Sequence, residues 1–235
     1  MKILKFGGTS VGSVDALKAL IDVVKTNLDK QEQMVIVVSA MGGVTNQLIT
    51  TAENAIKGID FSEALADIEK RHFHVVKELI PVQQQNQVLT KLKLFFQELE
   101  DLMQGVTALQ ELSPKTRDAI LSYGEQCSAF MLSRILKTIH EGADYLNTTE
   151  IIKTDSTFGN ARVDFEQSNF LIKNYFEHHK DSLIVATGFI ASDDQNRVTT
   201  LGRGGSDYTC AIIGAALNVE QIEIWTDVNG MMTAD

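Results

Sequence analysis

The chain has 235 residues, 44 % of them hydrophobic, and 31 acidic against 21 basic side chains give a formal net charge of −10. That length bounds it to one large α/β domain or two small ones, and that apolar share excludes intrinsic disorder. The acidic balance excludes nucleic acid as the main partner, because phosphate backbones select basic faces, but it leaves room for a nucleotide at a local positive site.

The first apolar run, Ile3–Phe6, carries Lys5 near its end and runs into Gly7-Gly8-Thr9-Ser10, with Gly12 two residues on. A strand, a glycine-rich turn and a helix N-terminus together make a phosphate cradle, since unpaired N–H groups and the helix dipole point at an anion. Lys5 supplies the positive charge such a cradle wants, and Thr9 and Ser10 add hydroxyl donors. The same residues also fit an ordinary strand-to-helix turn with a solvated lysine. Val14–Leu28 follows, with Leu17, Leu20, Ile21, Val24 and Leu28 at helical spacing.

Met34–Ser39 is a second β-rich run. From Phe61 to Leu112 the pattern is helical, polar and rich in glutamine, with Pro81 as a break, and reads as a helical hairpin inserted beside the sheet. Another long helix is expected from Pro114, with Ser113 as its N-cap and Pro114 at the first helical position. Two further β-rich runs, Leu183–Thr187 and Ile222–Trp225, complete the set. Apolar strands separated by helices predict βαβ units and a mainly parallel sheet, an α/β fold.

The strands end alike. They lead into Lys5-Phe-Gly-Gly-Thr-Ser10, Ser39-Ala-Met-Gly-Gly-Val-Thr-Asn46, Thr187-Gly-Phe189 and Thr226-Asp-Val-Asn-Gly230. In an open parallel sheet the carboxyl ends of the strands line one crevice, where ligands bind. Turn chemistry accounts for any one of these segments; four together point to a site.

Gly202-Arg-Gly-Gly-Ser-Asp207 precedes an apolar helical run, Thr209–Leu217. Ser206 or Asp207 is placed to cap that helix, and Arg203, between glycines, to clamp a carboxylate or phosphate with paired hydrogen bonds. Asp207 and Asp227 suit orienting a lysine, binding magnesium or holding a ribose hydroxyl, and Asp207 suits a plain cap. Glu125 lies mid-helix among Ser122, Gly124, Ser128 and Ala129, which leave room for a ligand ammonium group; spacing alone equally fits a surface glutamate. Trp225 fits the core or the wall of an adenine pocket. His72, His74, His178 and His179 sit in polar helical stretches and are expected on solvated faces, and with Cys127 and Cys210 unpaired in sequence no protein-held metal site is expected. No apolar run approaches the roughly 18 residues of a membrane span, and no secretory leader pattern is present, so a cytoplasmic protein without a membrane partner is expected.

Taken together, these segments resemble the aspartate kinases of the amino-acid kinase superfamily. The resemblance rests on Ile3-Leu-Lys-Phe-Gly-Gly-Thr-Ser-Val11, Ser39-Ala-Met-Gly-Gly-Val-Thr-Asn46, Tyr123-Gly-Glu125, Gly188-Phe189, Gly202-Arg-Gly-Gly-Ser-Asp207 and Trp225-Thr-Asp-Val-Asn-Gly230, in that order along the whole chain. It implies a three-layer α/β/α fold with a mainly parallel sheet of about eight strands and a helical insertion near 61–112. It implies ATP, with Mg²⁺ held mainly by its phosphates, and L-aspartate as substrates, and 4-phospho-L-aspartate as product. Lys5, Gly7, Gly8, Thr9 and Ser10 would hold the ATP phosphates, with Thr226, Asp227 and Met232 also meeting the nucleotide. Ser39, Thr45, Glu125, Phe189, Arg203, Gly204 and Ser206 would surround aspartate, and Asp207 would position Lys5 as the catalytic lysine.

Met232 stands where the family commonly has an aromatic residue, so thioether packing is expected in place of adenine stacking. The family pattern continues past residue 235 into further catalytic strands and regulatory ACT domains, so the chain reads as a catalytic domain truncated at its C-terminal end. The wording Glu223-Ile-Trp-Thr-Asp227 leans toward the bifunctional aspartokinase–homoserine dehydrogenases. A homo-oligomer, specifically a homodimer, is expected. The alternatives are a kinase of another acidic amino acid and a catalytically silent ligand-binding fragment.

Overall fold

The computed structural model describes residues 1–29, 33–180 and 183–226. Its centre is a parallel sheet in the order β3-β4-β2-β1-β7, built from β1 (Lys2–Phe6), β2 (Met34–Val38), β3 (Ala143–Leu146), β4 (Leu183–Thr187) and β7 (Gln221–Trp225). β2 and β4 are buried at every position, which is why they are unbroken runs of Val, Ile, Leu, Met and Ala with a terminal threonine. Two short strands, β5 (Ile190–Ser192) and β6 (Val198–Thr200), pair antiparallel as a separate hairpin.

Side chains alternate across the strands and divide the core in two. Leu4, Phe6, Ile36, Val38 and Val185 face one side, under α1 (Val14–Asp29), α2 (Val44–Ile56) and α5 (Pro114–Lys137). Helices α3 (Ser62–Leu79) and α4 (Val82–Leu109) complete that cluster. They pack on α2 and α5, so this layer is two helices deep. Ile3, Val35, Val37, Ile184 and Ala186 face the other side, under α6 (Phe165–His178) and α7 (Gly205–Leu217). Each Leu, Ile or Val so buried contributes about 1.5–3 kcal/mol relative to exposure.

The helix starts follow the expected chemistry. Ser113 Oγ accepts the Thr116 N–H at 3.2 Å, and Pro114 opens α5. Pro81 separates α3 from α4. Helix α4 buries Val88, Leu92, Phe95, Phe96, Leu99, Met103 and Val106, one face at helical spacing under an otherwise polar surface.

The main sheet holds five strands among the described residues. One expectation changes. His72 is not on a solvated face: it is fully buried between α3 and α4, edge-on to Phe96. Its Nδ1 lies 2.8 Å from the Ile68 carbonyl, which makes Nδ1 the protonated nitrogen, and burial lowers its pKa to about 4. No helix among the described residues is long and apolar enough to cross a membrane.

Candidate active site

The strand ends are level. Phe6 pairs with Val38 and with Trp225, and Val38 with Thr187, so the segments that follow β1, β2, β4 and β7 leave the sheet side by side. The β1 and β2 loops interlock there. The Gly42 N–H donates to Gly8 O at 2.8 Å, and a Cβ on Gly8 would sit 2.8 Å from Ala40 O, closer than any side chain tolerates. Arg71 of α3 grips the same turn from outside, donating to Gly42 O at 2.8 Å. The Gly8 and Thr9 N–H groups have no acceptor among the described residues, nor do those of Thr45 and Ser206. Helices α2 and α7 both start from a left-handed glycine, Gly43 and Gly204, with no side-chain cap. Ser206 and Asp207 thus lie inside the first turn of α7 rather than capping it. Uncapped N–H groups at two helix starts and in a glycine loop form the donor set of an anion site.

Lys5 points from β1 toward α7, where its Nζ meets Asp207 Oδ1 at 2.8 Å. The lysine is mostly shielded and the aspartate half exposed. Ser39 Oγ donates to Ser206 Oγ at 3.0 Å, tying the β2 end to the α7 start. Helix α7 comes this close because position 188 has no side chain: a Cβ there would lie 2.5 Å from Ser206 Oγ.

Glu125 is 3 % exposed, in the buried middle of α5. Its Oε1 accepts the Ala40 N–H at 3.1 Å, and its Oε2 is buried without a partner among the described residues. Burial raises its pKa to about 8, with the Ala40 bond pulling the other way. The surface reading of Glu125 is therefore excluded. A buried carboxylate with one unused oxygen is set to receive a cation or a strong donor.

Arg203 is exposed on the loop between β6 and α7, without an ion-pair partner among the described residues. It lines a cavity of about 480 Å³ with Phe189, Arg117, Asp118, Leu121 and Phe158, among others. Phe189 has φ 68° and is held by its N–H, which donates to Thr209 Oγ1 at 3.0 Å. Lys5, Ser39, Thr45, Glu125 and Ser206 do not line this cavity; Ser39 and Ser206 meet just past the end of β2, Glu125 is bonded to the next residue, Ala40, and Lys5 reaches Asp207 beside Ser206. Thr45 is half-buried in the first turn of α2, and Gly7 and Ser10 close the β1 turn through the Ser10 N–H to Gly7 O bond at 3.0 Å. Thr226 directly follows β7, whose Trp225 stacks on Phe6 at 6.0 Å. Asp227 and Met232 lie outside the described residues. Sequence reasoning missed Asp118, which is buried beneath the cavity; its one sequence signal is the seven-residue spacing from Glu125, two turns along the same helix face.

The amino acid kinase family matches residues 1–235. The chain belongs to that family. Among relatives in this amino acid kinase family, it is 35 % identical over 242 residues to aspartokinase 1, chloroplastic, of Arabidopsis thaliana, covering 99 % of this chain and 41 % of that protein. It is 32 % identical over 240 residues to lysine-sensitive aspartokinase 3 of Escherichia coli, covering 99 % of this chain and 50 % of that protein. The crystal structure of E. coli aspartokinase III in complex with aspartate and ADP superposes with a TM-score of 0.88 at 30 % identity, covering 98 % of this chain and 50 % of that one. The chain thus spans about half, or less, of the length of these relatives.

Proposed function

We propose that this chain carries the aspartate pocket and the phosphate-holding loops of an aspartate kinase, which transfers the γ-phosphoryl group of ATP to the side-chain carboxylate of L-aspartate. The observation that carries the reading is the buried Glu125 carboxylate, whose free Oε2 suits the α-ammonium of an amino acid. Arg203, exposed and without an ion-pair partner among the described residues, suits the α-carboxylate. Ser39, Thr45 and Ser206 would offer hydroxyls and N–H groups to the side-chain carboxylate as it faces the phosphate, with Phe189 and Gly204 shaping the pocket.

The acceptor carboxylate has an ordinary pKa of about 3.9 and is ionised at neutral pH. One of its oxygens attacks the γ-phosphorus, forming a P–O bond. The bond from that phosphorus to the β–γ bridging oxygen breaks, and its electron pair leaves with ADP. No proton moves, so no general base is required. What the protein must supply is alignment and neutralisation of charge. Lys5, held by Asp207, sits at the strand end beside the Gly7–Ser10 loop amides and would face the phosphoryl oxygens. Among the described residues no group of three or more His, Cys, Asp or Glu side chains could hold a metal. The Mg²⁺ that accompanies ATP would be held mainly by the nucleotide phosphates, where it would supply further charge neutralisation.

The rest of the reading belongs to the same proposal. It covers a cytoplasmic homodimer serving lysine, threonine and methionine biosynthesis and a kinase domain with a sheet of about eight strands and 61–112 as a helical insertion. Asp227 and Met232 would complete the nucleotide side with Thr226. The test is ATP-dependent ADP release with L-aspartate, L-glutamate and N-acetyl-L-glutamate side by side. Release with aspartate alone, trapped as its hydroxamate, is the expected result. Preference for either glutamate compound would reassign the substrate, and binding of ADP without turnover of any would make the chain a ligand-binding unit.

A further inference from the structure

Asp118 is 1 % exposed and pairs with no cation among the described residues. Its carboxylate is used up on backbone and hydroxyl donors instead. Oδ2 accepts the Gly159 N–H at 2.8 Å and the Thr200 N–H at 2.9 Å, and Oδ1 accepts the Thr200 hydroxyl at 2.9 Å. Thr200 ends β6, three residues before Arg203. The intervening turn is closed by the Leu201 N–H to Phe189 O bond at 2.9 Å and the Gly205 N–H to Gly202 O bond at 3.0 Å. Among the described residues Arg203 has no side-chain ion pair, so this backbone sets its position. Asp118 ties that backbone to α5 through its two bonds from Thr200, and α5 also carries Glu125 two turns further on. Gly159, which also lines the cavity, is tied to the same carboxylate.

We propose that Asp118 is a positioning residue of the substrate site: it fixes the Arg203 loop to α5, and so sets the distance between the groups that hold the α-carboxylate and the α-ammonium of the amino acid. This rests on the aspartate reading above. An amino acid is then recognised through one rigid helix. A loose Arg203 loop costs substrate alignment while leaving the nucleotide side intact.

The test is a double-mutant cycle on KM for L-aspartate in the full chain, with KM for ATP measured alongside. Arg203→Ala is expected to raise the aspartate KM on the order of 100-fold through loss of a charge-assisted bidentate contact. Asp118→Ala is expected to raise it about 10–100-fold, with KM for ATP within about twofold, and to add almost nothing in the Arg203→Ala background. Asp118→Asn should recover most of the affinity, since its Oδ1 can accept both N–H groups while its amide donates to the Thr200 oxygen. If Asp118→Ala does not fold, Thr200→Val removes one of the three bonds and should raise the aspartate KM about threefold, again only when Arg203 is present. Multiplicative effects of Asp118 and Arg203, or equal rises in both KM values, overturn the proposal. An Arg203→Ala variant with unchanged aspartate KM defeats the aspartate reading itself, and this proposal falls with it.

Discussion

The Ala40 N–H donates to Glu125 Oε1, and this 3.1 Å contact joins the loop after β2 to the middle of α5. It leaves Oε2 unused, and it does not offset the cost of burying the charge, so the carboxyl titrates near pH 8 without ligand. An ammonium group on Oε2 requires the ionised form. Aspartate binding at neutral pH must then release a proton from Glu125.

Aspartate affinity should therefore rise with pH up to about 8 and level off above it. A group with a pKa near 8 is about 99 % protonated at pH 6 and half protonated at pH 8, so the affinity should weaken on the order of 50-fold between pH 8 and pH 6. Calorimetric titration with aspartate across that range checks this, and the protons released into buffers of different ionisation heat give an independent count. Glu125→Gln should bind aspartate weakly at every pH, by roughly 10–150-fold relative to the parent at pH 8.5. A flat profile in the parent would remove Glu125 from the ammonium site.

Lys5→Ala should lower kcat on the order of 10³-fold, the scale of a lost electrostatic contact to charge developing in the transition state. The fold should survive, because Asp207 is half exposed and water can take over its solvation; the stability cost is expected below about 1 kcal/mol. Asp207→Asn should act in the same direction but less, since it loosens Lys5 without deleting it. Near-normal kcat in Lys5→Ala would show that the loop amides suffice.

Much of this architecture could be read from residue patterns, for identifiable reasons. β2 and β4 are unbroken buried runs because both of their faces are covered, β1 is apolar except at the half-buried Lys2 and Lys5, and Ser113-Pro114 marks a helix start by capping chemistry alone. β3 escaped notice because it has four residues, with Asp144 and Tyr145 only half-buried in the middle. β5 and β6 have three residues each and follow β4 without a helix between. The burial of Glu125 was hidden for a different reason. Helix α5 lies between the sheet and three other helices, α2, α3 and α4, and buries small residues such as Ser122, Ser128, Ala129 and Ser133 around its circumference. A helix covered on all sides shows no polar stripe against which one glutamate would stand out. His72 was hidden by its polar neighbours, and Asp118 by the fact that its partners lie 41 and 82 residues away.

Gly124 should tolerate no side chain, although it sits mid-helix, where alanine is intrinsically better by about 1 kcal/mol. A Cβ there would lie 2.9 Å from Ala40 Cβ. Gly124→Ala must push α5 away from the β2 loop, which stretches the Ala40 to Glu125 bond. Overpacking of this kind costs about 1–3 kcal/mol, enough to outweigh the helix gain. The expected outcome is a lower melting temperature and an aspartate KM raised about tenfold, through misplacement of Glu125. A more stable variant with unchanged KM would show that α5 and the loop are not in fixed register.

His72 should make the protein acid-sensitive in a defined window. Its folded-state pKa of about 4 lies below the ordinary value of 6.5 because burial disfavours the charged ring, and the adjacent Arg71 charge acts in the same direction. The unfolded chain therefore binds a proton at a pH where the folded chain does not. Its contribution to stability is intact above about pH 6.5, and stability is lost progressively as the pH falls from 6.5 toward 4, by about 2–3 kcal/mol in all. His72→Leu keeps an apolar group between α3 and α4 and removes the titration. It should be somewhat less stable than the parent at pH 7.5, where the parent keeps its Ile68 contact. It should then lose less stability between pH 7 and pH 4.5, by about 2 kcal/mol. Urea unfolding of the two proteins at both pH values checks this, because every other titrating group contributes equally to both slopes. Parallel losses in parent and variant would mean that His72 takes up its proton alike in the folded and the unfolded chain, as a solvated ring does.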